Sequence, residues 1–296
     1  MNKSSLFGWH TLSIASIFVL GSAVMNLPQK GADEFNFSAF LIMGMLLIGV
    51  YCLGSFLTPL LLKPRRSVMG KTIVCGFLSA SAVYSLFCFA QSFKETVFFV
   101  LSVILPKTQH LFIVVVFGII VVYFALKRQE NVLKFALLSL VMVAAVILFF
   151  FLAAADKYDF RNIFIFRLPS LGELYEQIKP YVKNPLLPVL VLPLYFNFSL
   201  NGKNTREGVI GVAVGAVLLG LCVLMPLLLF GAELAGRLDF PFSSAVSTVT
   251  VGRLFTRLDG FSYFVYFVCS LIKITVCLFV VKASLNKISE ILKSTE

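Results

Sequence analysis

Two groups of residues in this sequence have types that their apolar surroundings do not require: Gly21-Ser22-Ala23 and Lys273. The first lies in the run GSAVMNLP at 21–28, inside the opening apolar segment Phe7–Pro28. Hydrocarbon offers no water, so a helix crossing a bilayer satisfies its own backbone hydrogen bonds. Small and polar residues with a following proline either interrupt such a helix or let a neighbouring helix approach closely. An interruption frees N–H groups that receive an anion such as a carboxylate, and carbonyls that receive a cation. Packing between helices would use the same small residues with no ligand. Lys273 is an ionisable group about 14 residues along an apolar span that begins near Asp259. Such a group costs at least about 2.5–3.5 kcal/mol at mid-span, so it needs a partner or a task. Snorkelling would have to cover more than its stem of roughly 6 Å. Ser270 lies one turn away on the same face.

These residues must be positioned by a polytopic membrane bundle. Apolar residues make up 59% of the 296 residues and charged ones 13%, against roughly 45–50% and about 25% in soluble domains. Taking about 20 apolar residues per crossing, eight spans emerge, at 7–28, 37–62, 72–90, 111–126, 132–154, 185–200, 209–229 and 260–281. They form one transmembrane domain. Lys3, Lys63, Arg65, Arg66, Lys71, Lys127, Arg128, Lys134, Lys203, Arg206, Lys282, Lys287 and Lys293 fall on one side, which is strongly positive. The opposite side is near neutral, so both termini are expected in the cytoplasm. The net charge of +11 is thus topological, and no nucleic-acid partner is implied. Gly21-Ser22-Ala23 also has the small-residue form of a signal-peptidase site, though a second span follows at once. Residues 171–183 (LGELYEQIKPYVK) read as a polar helix at the interface or in a wet vestibule. Leu285, Ile288, Ile291 and Leu292 share a face of 284–292, which reads as a surface-lying amphipathic helix.

Further motifs carry a resemblance. Gly21-Ser22-x-Val24-x-x-Leu27-Pro28 is similar to the first-helix break of the amino acid–polyamine–organocation (APC) transporters. Phe93-Lys94-Glu95 through Ile104-Leu105-Pro106-Lys107-Thr108 resembles a turn before the fourth helix in the spore germination permease branch, the B subunit of germinant receptors. Asp159-Phe160-Arg161-Asn162-Ile163-Phe164 resembles that branch's step after the fifth helix. Phe240-Pro241, then Gly252-Arg253-Leu254-Phe255-Thr256-Arg257-Leu258-Asp259, then Lys273-Ile274 is similar to its C-terminal arrangement. The likeness runs from about Trp9 to Lys282.

The resemblance implies an all-α, LeuT-like core in which helices 1–5 and 6–10 are inverted repeats. The binding site then lies between broken helices 1 and 6. Ten spans are usual in the family, so the last two are expected to be missing here. It also implies a multi-pass protein of the cell membrane or spore inner membrane, beside an A-type membrane subunit and a C-type lipoprotein. The expected ligand is a small-molecule nutrient such as an amino acid. In the resembled fold the eighth helix contributes to a sodium site against helix 1. The ammonium of Lys273 is expected to replace that cation, with Ser270 beside it. A structural lysine tying helices together would leave the same pattern.

The ligand-binding expectation covers Gly21, Ser22, Ala23, Tyr84, Lys183 and Asn184. Tyr84 lies midway along the third span among Ser79, Ser81 and Ser85, where its ring would cap a ligand or simply pack. Lys183-Asn184, bracketed by Pro180 and Pro185, stand where the family carries a glycine–glutamate core, and mark the expected sixth-helix break. Tyr195-Phe196-Asn197-Phe198-Ser199 is the competing place for it. Arg253, Arg257 and Asp259 fit a partner contact or a solvated face. His10 and His110 suggest no metal, and the six cysteines read as inert core fillers. No Ser/His/Asp set, phosphate loop or zinc spacing is present, so neither an enzyme nor a cofactor is expected. Two alternatives to nutrient sensing stay open: an APC-type secondary transporter of amino acids or polyamines, and a structural subunit that binds nothing.

Overall fold

The computed structural model describes residues 3–21, 23–26, 37–62, 68–127, 129–162, 172, 175, 179, 182–200, 205–249 and 259–293. The first apolar run forms two pieces, α1 (Lys3–Leu20) and α2 (Ala23–Asn26). Next come α3 (Phe37–Leu62), α4 (Val68–Phe99, prolonged by a wide π turn at Val100–Ile104), α5 (His110–Leu126) and α6 (Gln129–Ala153). Single turns at Ala155–Lys157 and Phe160–Asn162 follow. A second wide turn, Val182–Leu186, and a 3-10 turn, Pro188–Leu190, lead into α7 (Val191–Leu200). The rest is α8 (Thr205–Arg237), the short α9 (Pro241–Ser247) and α10 (Asp259–Lys293). Among the described residues, five helices (α3, α4, α6, α8 and α10) are long and apolar enough to cross a membrane, and α1, α5 and α7 are shorter apolar helices. The protein is an all-helical, polytopic membrane bundle.

Packing, more than composition, decides which helices are interior. In the most apolar window of α10, 72% of residues are buried, and in α8 61%, against 28% in α3 and in α6. α10 runs through the centre, against α4 along much of its length and also against α1, α5, α6, α7 and α9. α1 lies chiefly on α8 and α6. A small-residue seam, Gly211-Val212-Ala213-Val214-Gly215, makes the α1–α8 approach close. A Cβ at Gly211 would sit 2.5 Å from the Leu12 carbonyl oxygen, and one at Gly215 2.7 Å from that of Ser16. The Ser16 hydroxyl, 2.8 Å from the Gly211 carbonyl, donates across the same seam.

Two elements differ from the sequence reading. α4 does not stop at Ala90 but runs on to Phe99. Its polar continuation stays helical because Ser92 and Thr96 are buried, Thr96 donates to the Ser92 carbonyl at 2.8 Å, and Gln91 bonds Glu95 at 3.0 Å. Phe99 is then clamped among Tyr266, Phe240 and Tyr263 at 4.4, 5.0 and 5.7 Å between ring centroids. The separate surface helix expected at 284–292 is not formed. α10 continues unbroken to Lys293, because Ser284 is fully buried and meets Ser81 of α4 at 3.4 Å. At 1.5 Å per residue its 35 residues span about 52 Å, more than the roughly 30 Å hydrocarbon core.

α8 carries a break of its own. Pro226 lacks a donor, and Gly231 takes φ +77°, ψ 167°, a conformation essentially reserved for glycine. The Leu228 carbonyl beside this break is reached by the Asp159 N–H at 3.1 Å and the Asn162 side-chain amide at 3.4 Å. Asp159 shapes that turn by accepting from the Arg161 N–H at 3.0 Å. Tyr158 donates to the Phe151 carbonyl at 2.6 Å, and burial pushes its hydroxyl up to about 12, so it stays a donor at neutral pH. Of 171–183, Gly172, Tyr175 and Lys179 are described and exposed. Arg253 and Arg257 lie outside the described residues.

Substituting Gly211 by Ala should therefore destabilise the purified protein by about 1–3 kcal/mol, as overpacking does. Gly44→Ala, with open space around it, should be neutral or slightly stabilising. Thermal melts in detergent that ranked the two variants equal would contradict the α1–α8 seam.

Candidate functional site

The site is built where α1 ends. Gly21 has φ +29°, in the left-handed region where a side chain is strained. Its N–H still donates to the Ile17 carbonyl at 2.8 Å, closing the last turn of α1. The final carbonyls of a helix have no partner within it, and together they form the negative end of its dipole. The stem and ammonium of Lys273, from the middle of α10, come to this end. A Cβ at Gly21 would lie 2.5 Å from Lys273 Cδ, 3.4 Å from its Nζ and 2.9 Å from the Phe18 carbonyl oxygen. The Nζ also stands 5.8 Å from the centre of the Phe18 ring, on whose face a cation is attracted. Lys273 is 1% exposed. The missing side chain at Gly21 is what gives the lysine its passage.

A stripe of buried polar residues runs along each of two packed helices, with Lys273 in one of them. On α4 these are Ser81, Ser85, Cys88, Ser92 and Thr96, each buried and spaced three or four residues apart. On α10 they are Tyr266, Ser270, Lys273 and Cys277 at the same spacing, then Ser284. The buried Cys88 and Cys277 thiols lie near Lys273, and the carboxylate of Glu95 acts on it electrostatically. Tyr84 stands beside Cys88 and Cys277, half-buried at the edge of this stripe. The Ser85 and Ser270 hydroxyls have no well-formed hydrogen bond among the described residues, and the Tyr266 hydroxyl stands near Thr96 and Ser270 without good geometry to either. Buried hydroxyls seldom go unpaired, so this seam has hydrogen-bonding capacity left over.

The structure thus brings Gly21 and Lys273 into contact, with Ser270 on the lysine's own face and Tyr84 at the edge of the seam. Ala23 is fully buried at the start of α2. Ser22 lies outside the described residues. Lys183 and Asn184 fall in the wide turn Val182–Leu186, where Leu187 N–H reaches the Val182 carbonyl at 3.0 Å, and their side chains are outside the described residues. This turn packs on α3, where Pro193 and Leu190 would meet a Cβ at Gly54 at 3.0 and 3.2 Å. The competing segment Tyr195–Ser199 lies within the uninterrupted α7. From sequence Glu95 entered only as part of a motif, Cys88 and Cys277 only as core fillers, and Thr96 not at all. The spacing of Ser81, Ser85, Cys88, Ser92 and Thr96 was the available signal. His10 and His110 join no metal-holding group among the described residues.

A family model described as "Spore germination protein" matches residues 9–295. No curated protein matches the chain.

The contact at the break makes a quantitative forecast. Gly21→Ala should be destabilising by roughly 1–3 kcal/mol from backbone strain alone, with a further steric loss against Lys273. Shortening the lysine as well, in Gly21→Ala/Lys273→Ala, should recover that steric part. The double variant would then be less destabilised than the sum of the two single variants, by 0.5 kcal/mol or more. Strict additivity in thermal or denaturant unfolding would place the two residues out of contact.

Proposed function

The chain belongs to the spore germination protein family, and on that basis we propose that it is the nutrient-sensing membrane subunit of a germination receptor, taking a small molecule such as an amino acid at the break in its first helix. The observation that carries this reading is the Gly21–Lys273 contact: a helix interrupted inside the bundle, with a tethered ammonium at its carbonyl end. In the proposed mechanism the ammonium takes the place of a bound metal cation. The ligand occupies the other side of the break, next to Ala23 and under Tyr84, with the spare hydroxyls of Ser85 and Ser270 as hydrogen-bonding partners. Lys183 and Asn184 would approach it from the irregular turn ahead of α7. Ligand shifts the bundle between two packings only in so far as it binds one of them better, and partner subunits, an A-type membrane protein and a C-type lipoprotein, would read that shift. Both termini would lie in the cytoplasm.

An APC-type secondary transporter of amino acids or polyamines is the second reading, favoured by the same break. Purified protein in proteoliposomes separates the two. The sensing reading expects saturable amino acid binding that is unchanged when sodium is replaced by choline, with no accumulation of labelled substrate. Robust flux would favour the transporter, and strict sodium dependence would end the proposed role of Lys273. Gly21→Ala, the smallest side chain, should impair the nutrient response of spores that still assemble the receptor; a normal response would leave no role for the break.

A further inference from the structure

A second site lies on another part of the molecule and shares no residue with the Gly21–Lys273 contact. A cavity of about 340 Å³ opens between the end of α5, the start of α6 and the middle parts of α7 and α10, within the range of small-ligand sites. Its wall is largely apolar, with Leu126, Leu278 and Phe279 among the lining side chains. The charged residues in its described wall are both basic, Lys127 and Lys282. Gln129 is a further lining residue, and its side-chain Nε2 is buried and has no hydrogen-bond partner among the described residues. Lys127 is held at the rim by the Tyr123 ring, 4.5 Å from its Nζ, and its N–H groups remain able to donate. Two cations and an orphan amide donor, with no carboxylate in the described wall, call for an anion.

The position of the cavity says where that anion comes from. Lys127 directly follows the apolar run of α5, which ends at Leu126, and Lys282 directly follows Val281, where the apolar stretch of α10 ends. Both ammonium groups therefore stand where hydrocarbon gives way to headgroups, and Leu126 beside them is 78% exposed. Basic pockets between transmembrane helices at this depth take the headgroups of acidic lipids. We infer that the cavity binds an anionic phospholipid, its phosphate held by Lys127, Lys282 and Gln129 Nε2 and an acyl chain lying along Leu278 and Phe279. The inference is independent of the nutrient reading, because none of these residues enters it.

The test uses the full chain in detergent, with added phosphatidylglycerol, phosphatidylcholine or inorganic phosphate. Lipid retention is read by native mass spectrometry and protection by thermal melting. Phosphatidylglycerol should be retained in preference to phosphatidylcholine and should raise the melting temperature, while inorganic phosphate should not. Each lysine near the surface contributes about fivefold to such binding, so Lys127→Gln/Lys282→Gln should weaken retention roughly 25-fold, and Lys134→Gln, outside the cavity wall, should not. Equal retention of the two lipids, or undiminished retention by the double variant, would overturn the proposal. Protection by phosphate alone equal to that by phosphatidylglycerol would overturn it in favour of a soluble anion. If the double variant fails to fold, Lys282→Gln, an exposed position, gives the same reading with a fivefold effect.

Discussion

An ammonium inside a bilayer must be held, and the structure is arranged around that requirement. Leaving a buried charge without compensation costs several kcal/mol. The end of a helix offers compensation of the right sign, since its last carbonyls are unpaired within the helix and its dipole is negative there. An uninterrupted first helix would have no such end inside the bundle. The break at Gly21 and the lysine of α10 meet there, and the Glu95 carboxylate of α4 adds an opposite charge. Glycine at position 21 reconciles them, because both its positive φ and the passage of the Lys273 stem forbid a side chain.

Holding that contact in register takes the rest of the bundle. α1 is fixed by its close approach to α8 at Gly211 and Gly215, so its broken end cannot drift. α10 is fixed from the opposite direction by α4, through a stripe of small polar residues ending at the Ser81–Ser284 contact. The two sides of the break have different neighbours: α1 contacts α6, α8 and α10, whereas α2 contacts α8 and α9. α8 is itself interrupted at Gly231, where the Asp159–Asn162 turn supplies the missing donors to Leu228. α6 and α10 thus border one side of the break and α9 the other, with α8 common to both.

Much of this was legible because the membrane makes exceptions expensive. A lysine among Ile272, Ile274 and Val276 stands out whatever its partner, and a Gly-Ser pair in an apolar run announces a possible break. The long apolar helices were legible for the same reason. Less legible was anything decided by which face of an apolar helix meets which neighbour. α8 is apolar all round, so the meaning of Gly211 and Gly215 appears only once Leu12 and Ser16 lie against them. The third span was read as ending at Ala90, yet Ser92 and Thr96 beyond it are buried inside the bundle. The pattern of 284–292 fits a helix lying on a surface as well as one continuing straight, and buried Ser284 decides the matter. The partner of Asn162 is a main-chain oxygen 66 residues away, which no side-chain pattern could reveal.

A tethered cation differs from a bound one in a way that bears on sensing against transport. A metal ion at the carbonyl end of α1 would come and go with its concentration, and a gradient of that ion could then be coupled to movement of a substrate. Lys273 cannot leave α10. On the proposed reading its local concentration is fixed by the fold, so the carbonyl end of the break is occupied whatever the ionic conditions outside. The free energy available to shift the packing must then come from the ligand's own preference for one state. Moving an equilibrium from 1:99 to 99:1 takes about 10⁴-fold preferential binding, or about 5.5 kcal/mol, which a few hydrogen bonds to buried hydroxyls and a charge interaction in a dry pocket are able to supply. A site with its cation built in is suited to reporting the presence of a nutrient, and it gives up one means of driving that nutrient across the membrane.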